Sequence, residues 1–361
     1  MSANIENFKD SAKLTCITCH AFNRDRTLIA ICPNNNEVHI YQKQGAEWVK
    51  NAVLVEHDQA VTGIDWGHKE NRIVTCSQDR NAYVWSLGAD GKWKPTLVLL
   101  RITRAATHVK WSPNEEKFAV ATGAKCVSVC YFEEANDWWV SKHIKLHKST
   151  VLNVAWHPNN IFLATAASDF KARIFSAFIK GVDKRPENTP FGDKLPFGEM
   201  LAEYSCGGWV HGVSWSPSGE WLSFVSHDSA ISFVNISTGR EAVPQRLSLS
   251  GLPYRVLAFL NPTDIIAAGY DCNPALFRLS GQTWAFVKNV DESSAAARAA
   301  PGAAQSAMNM WQKKADLGTT SNETQLETKH QNAISGLTAL APNQFSTTAV
   351  DGKLIIWTVR A

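Results

Sequence analysis

Short runs of apolar or alternating residues recur along the whole chain, and clusters of turn-forming residues separate them. VTGIDW, RIVTCS and NAYVW are three such runs, and Ser77-Gln78-Asp79-Arg80-Asn81 is the turn between the last two. Alternation of this kind predicts half-buried or buried strands. VLNVAWHPNN and HGVSWSPSGE both pass from a strand-like run into an Xaa-Pro turn. The pattern is that of an all-β protein with strands of nearly uniform length.

The strands fall into a repeat. From His57, Trp66 stands nine residues on, Asp79 thirteen further and Trp85 six further. From His147, Trp156, Asp169 and Phe175 follow at the same offsets. The thirteen-then-six spacing returns at Trp215, Asp228 and Val234 and at Phe22, Asn35 and Tyr41. It returns without the chemistry at Trp111, Ala124 and Cys130. Two copies are one residue shorter between the first two marks: Phe259, Asp271, Phe277 and Ala339, Asp351, Trp357. The first marks are 44, 45, 45, 59, 44 and 80 residues apart, which makes seven copies. A unit near 44 residues matches the WD repeat, one four-stranded blade of a β-propeller. The fold predicted is a single seven-bladed WD-repeat propeller over residues 1–361, and the residues before Phe22 are expected to supply the outer strand that completes the last blade.

Composition narrows the class. Of the 361 residues 45% are apolar, with 14 Trp and 16 Phe, so the chain can bury a sizeable core and does not read as disordered. The formal net charge of +3 gives no general footprint for nucleic acid. No apolar run reaches the length of a membrane span, and residues 1–15 carry no secretory signal. Most of the eight cysteines lie in apolar stretches and are expected to pack as small hydrophobes. Cys16 and Cys19 form a lone CxxC next to His20, with no second pair at zinc spacing, so no metal site is expected.

His57, Asp79 and Ser77 could be read as a catalytic triad. The set recurs, however: His57, Asp79 and Trp85 are matched by His330, Asp351 and Trp357, and His147 with Asp169 opens another copy. An active site needs one constellation, whereas a blade-locking device should repeat. These residues, with a strand Ser or Thr, are therefore expected to lock blades. Neither a phosphate-binding Gly-rich loop nor HExxH is present, and no cofactor is expected. The carboxylate pairs Glu115-Glu116 and Glu133-Glu134 are expected as solvated loop charge, and Trp138 and Trp139 either pack between blades or serve as exposed anchors for a protein contact.

Two breaks in the period remain. Residues 178–200 form a Pro- and Gly-rich loop whose Phe191, Leu195 and Phe197 either fold back or dock on a neighbour. Residues 287–325 form an insert expected to be flexible, with a short helix at about 303–316. Ala304, Ala307, Met308, Trp311 and Ala315 share one face of that helix, Lys313 and Lys314 suit its C-terminus, and Gly318 can stop it. The helix either covers the propeller's own surface or enters a groove on a partner.

Over nearly its whole length the chain resembles the family of WD-repeat subunits, subunit 1, of the actin-related protein 2/3 complex. The runs that carry the resemblance are NRDRTLIAICPNNNEVHIY, DWGHKENRIVTCSQDRNAYVW, VSKHIKLHKSTVLNVAWHPNN, SDFKARIFSAFIKGVD and WVHGVSWSPSG. The resemblance implies a non-catalytic scaffold in an assembly that binds an existing actin filament and starts a branch from it. It implies as partners the other subunits, the actin filament and nucleation-promoting factors, with no nucleic acid, in the cytoplasm and actin cytoskeleton (cell cortex, actin patches or leading edge). It further implies that the insert helix, with Ala307, Met308, Trp311, Lys313 and Lys314, touches actin of the mother filament. The family often has Phe where Trp311 stands, so an aromatic anchor is kept, while the Ala-rich stretch 295–304 does not follow the family pattern. A propeller bound to RNA or chromatin would need a basic face, and a propeller enzyme would need one unrepeated polar cluster; the sequence offers neither.

Overall fold

The computed structural model describes residues 2–9, 14–292 and 326–359. Their strands form seven sheets in chain order: the second to the sixth are antiparallel meanders of four, the first adds a fifth, parallel strand to its meander, and the last takes its fourth strand from the beginning of the chain. Blade 2 is representative, with strands Val61–Trp66, Ile73–Ser77, Ala82–Leu87 and Trp93–Val98 from the axis outwards. The innermost strands are Cys19–Phe22, Val61–Trp66, Ala106–Trp111, Val151–Trp156, Val210–Trp215, Tyr254–Phe259 and Ile334–Ala341. Each contacts the next, and the last returns to the first, so the ring is closed.

The repeat marks map onto this plan. The first mark sits at or near the end of an inner strand, the second in the turn between the second and third strands, the third within the third strand. The second strands are buried on both faces, as in Lys117–Thr122, Phe162–Ala167 and Trp221–Ser226. That burial explains why they read as unbroken apolar runs. The outer strands, such as Trp93–Val98 and Gln245–Ser248, are far more exposed. The cores lie between blades: Val74, Cys76 and Val84 of blade 2 pack with Val109, Trp111 and Phe118 of blade 3.

The ring is fastened by the beginning of the chain. Ser2–Ile5 pairs antiparallel with Leu354–Thr358 and becomes the outer strand of blade 7. Asn7–Phe8 then pairs parallel with Glu47–Val55, the outer strand of blade 1. Glu6, between them, receives the Trp48 indole N–H at 2.6 Å and the Lys43 ammonium. On the axial side His20 of blade 1 is 2.9 Å from the Thr348 hydroxyl and 2.8 Å from that of Ser346, both in blade 7.

The two breaks in the period lie at opposite ends of the ring. Residues 177–199 join the third and fourth strands of blade 4, whereas residues 290–333 join the outer strand of blade 6 to the inner strand of blade 7. The outer strand of blade 6, Thr283–Asn289, runs past position 287, so the second insert starts later than the periodicity indicates. The expected helix at 303–316, with Ala307, Met308, Trp311, Lys313 and Lys314, lies outside the described residues.

Candidate functional site

At one end of blade 2 a single chain of hydrogen bonds runs from core to turn. The Trp85 indole N–H donates to Thr75 Oγ1 at 3.0 Å. Thr75 Oγ1 is 2.9 Å from His57 Nε2, and His57 Nδ1 is 2.7 Å from Asp79. Every group is satisfied when His57 is neutral with its proton on Nδ1. Burial lowers the His57 pKa, and the neighbouring Asp79 opposes that shift only in part. Blade 7 repeats the arrangement: Trp357 to Thr347 at 2.7 Å, Thr347 to His330 at 2.7 Å, and His330 3.3 Å from both oxygens of Asp351.

The hydroxyl in this chain is Thr75, not Ser77. Ser77, two residues on and on the same strand face, stands at the strand's end and donates to the Gln59 carbonyl instead. The signal was in the sequence as a fixed offset: Thr75, Thr165 and Thr347 each stand ten residues before the third mark.

Blade 4 departs from the scheme. His147 Nε2 meets Thr165 at 3.0 Å, but no hydrogen bond joins His147 to Asp169, and His147 Nδ1 is buried without a partner. The Arg173 guanidinium takes both oxygens of Asp169 at 3.0 and 2.9 Å and also donates to Glu203 at 2.8 Å. Burial, with Arg173 alongside, lowers the His147 pKa to about 4. His147 and Asp169 are thus not a locking pair, since the arginine competes for the carboxylate and Phe175 offers no indole N–H.

What the turn aspartates share is different. Each accepts a backbone N–H from the connection entering its blade: Asp58 onto Asp79, Lys148 onto Asp169, Gly207 onto Asp228, Leu252 onto Asp271 and Gln331 onto Asp351, at 2.8–3.1 Å. The carboxylate fixes the path between blades whether or not a histidine is present. That accounts for its survival at Asp228 and Asp271, where the His is missing.

The opposite end carries its own fastenings. Glu115, expected as solvated charge, is buried and accepts the backbone N–H groups of His68, Lys69 and Glu70 at 2.5–3.0 Å. Blade 3 thereby caps the turn of blade 2, and a turn carboxylate gains three charge-assisted bonds that its sequence context does not advertise. Trp139 is half-buried against Trp111 and Phe118 of its own blade, whereas Trp138 is 60% exposed and does not pack between blades.

The first insert folds back onto the ring. Phe191 and Leu195 are buried, and Phe191 sits edge-on to Phe162 at 5.2 Å. Asp183 is its deepest anchor: it receives the Ile179 N–H at 2.7 Å, Asn160 Nδ2 at 2.8 Å and the ammonium of Lys117. Lys117 is wholly buried, donates also to the Ala177 carbonyl at 2.8 Å, and lies 5.0 Å from the centre of the Trp156 ring.

The second insert rises from a fixed base. Asp291, 1% exposed, receives the backbone N–H of Lys329 at 2.6 Å and its ammonium at 2.8 Å. Asn273 braces Asp291 through its backbone, accepting its N–H at 2.9 Å and donating to its carbonyl at 3.1 Å. Residues 291 and 329 are therefore clamped side by side, at the same end of the ring as the His–Asp locks.

Among the described residues no group of three His, Cys, Asp or Glu is placed to hold a metal ion. No described helix is long and apolar enough to cross a membrane. Cys32, Cys76, Cys126, Cys130 and Cys272 are buried free thiols.

The WD domain, G-beta repeat family matches residues 48–86 and 138–176. Actin-related protein 2/3 complex subunit 1A-B of Xenopus laevis is 51% identical over 351 residues, covering 94% of this chain and 93% of that protein. Subunit 1 of Schizosaccharomyces pombe is 42% identical, covering 94% and 96%. Subunit 1 of Saccharomyces cerevisiae is 38% identical, covering 95% and 94%. Identity of this order over almost the entire ring, with the repeat geometry intact, shows that the chain belongs to the family of actin-related protein 2/3 complex subunit 1.

Proposed function

We propose that this chain is a non-catalytic scaffold subunit of the actin-related protein 2/3 complex, working in the cytoplasm and actin cytoskeleton. It contributes there to filament binding, nucleation and branch assembly. The observation that carries the reading is identity along about 94% of the chain with relatives whose names all state membership of that complex. The polar clusters support it. The His, Asp and Thr residues that imitate a triad recur in separate blades and are consumed in hydrogen bonds within the fold. Purification of the native assembly should recover the chain with two actin-related subunits; its recovery without them would overturn the reading.

Within that assembly the second insert is the part assigned to actin of the mother filament, through Ala307, Met308, Trp311, Lys313 and Lys314. The rigid Asp291–Lys329 base supports this, because a contact element on a clamped stem loses less freedom on binding. Changing Met308 and Trp311 together to Ala should leave the melting temperature of the ring unchanged. Branch formation by the reconstituted complex should fall about tenfold or more, as for loss of two buried anchors. Unchanged branching would remove the insert from the actin contact.

A further inference from the structure

The first insert builds something besides its own anchors. Its segment Pro186–Pro190 stands opposite the turns at residues 157–162 and 218–220 and leaves a cleft of about 420 Å³ between blades 4 and 5. That volume lies within the range of preformed ligand sites. Ile161, Phe162, Pro186 and Ile236 give it apolar walls. The walls are braced: Phe191 packs on Phe162, and Gly239 lies so close to the Pro190 carbonyl that an added Cβ would come within 2.2 Å of it.

The polar lining is biased to one sign. Glu187 and Glu220 both line the cleft and are exposed, and no ion pair among the described residues involves either; Glu220 has only the Ser218 hydroxyl, at 3.3 Å. His157 does not offset them. Its Nε2–H donates to the Gly219 carbonyl at 3.0 Å and its Nδ1 accepts the Asn159 N–H at 3.0 Å, so it is neutral with both nitrogens used. The nearby cations are elsewhere: Arg240 is taken by Glu199 at 2.6 Å, and Lys184 and Arg185 do not line the cleft.

An apolar slot with two unpaired carboxylates suits a long side chain that is apolar along its stem and cationic at its tip. We propose that this cleft receives an arginine side chain presented by an extended segment of another protein, its stem on Phe162 and Ile236 and its guanidinium held by Glu187 and Glu220. Arginine fits better than lysine because a planar fork can bond two carboxylates at once and stack on an aromatic or proline wall. The inference stands on the cleft alone and does not depend on which assembly the chain joins.

The test titrates N-acetyl-arginine methylamide into the full-length protein and follows backbone amide resonances. Capped norleucine, lysine and glutamate serve as comparators. Saturable shifts at residues 157–162, 186–190 and 218–220 are expected, with a dissociation constant on the order of millimolar for so small a probe. Norleucine, lysine and the E187Q/E220Q variant with arginine should each bind at least about fivefold more weakly, and glutamate should not bind. Absence of saturation, equal binding of norleucine or lysine, or undiminished binding to E187Q/E220Q would each overturn the proposal.

Discussion

Replacing Asp183 by Asn isolates one charge in the driest part of the first insert. Lys117 is fully buried, and its ammonium has one anionic partner, Asp183, beside the neutral Ala177 carbonyl. Removing one member of such a pair leaves the other charge uncompensated, at a cost of about 3–5 kcal/mol. An unfolding entropy of about 2.1 cal/mol/K per residue gives roughly 0.76 kcal/mol/K for a chain of 361 residues. The melting temperature of D183N should then fall by about 4–7 °C. A pH signature accompanies it. Burial already lowers the Lys117 pKa below 10.5, with Asp183 opposing the shift, so loss of Asp183 lowers it further. Between the folded and unfolded values the unfolded chain holds more protons, so D183N should regain stability as pH rises, over a wider range than the wild type. Calorimetry from pH 7 to 9.5 measures both effects. Hydrogen exchange should also show lost protection at Ile179, whose N–H bonds to Asp183. A D183N protein that melts within 1 °C of wild type, with Ile179 still protected, would refute the reasoning.

Thr75→Val should cost about 2–4 kcal/mol, since it strands both the Trp85 N–H and His57 Nε2, whereas Thr165→Val should cost about half as much because Phe175 has no N–H to strand. Chemical denaturation of the two variants checks the ranking, and equal losses would contradict it. Stability should also fall as pH drops from 6.5 towards 4. Burial lowers the pKa of His20 and His108 to about 3 and of His147 and His211 to about 4. The unfolded imidazoles, titrating near 6.5, bind protons in that window that the folded ones refuse, at up to about 1.4 kcal/mol per pH unit per group. A urea midpoint that stays flat from pH 7 to 5 would count against neutral buried histidines.

Much of the ring was legible because its information is local and repeated. A first mark of Trp or Phe, a turn Asp and an aromatic third mark at fixed offsets locate an inner strand, a turn and a third strand. Even the substituted copy at Trp111, Ala124 and Cys130 forms a blade, since burial depends on spacing and apolarity more than on the locking set. What the sequence hid are partnerships between distant segments. Glu115 reads as a turn carboxylate until blade 2 is set beside it. The pairing of Lys117 with Asp183 spans 66 residues, and so did not show in any local pattern. The cleft is of the same kind: its two carboxylates come from different blades.

Because Ser2–Ile5 finds its strand partner only in Leu354–Thr358, this segment must wait for a strand made after the six other blades. Blades 2 to 6 can form during synthesis from strands that follow one another directly. The side of blade 1 that meets blade 7, the outer edge of blade 7 and the segment at residues 2–5 remain open until blade 7 is made. Such open edges are templates for pairing with the wrong chain. The ring should therefore close as a late, separate event, and stalled or shortened chains should be prone to exchange this strand with one another.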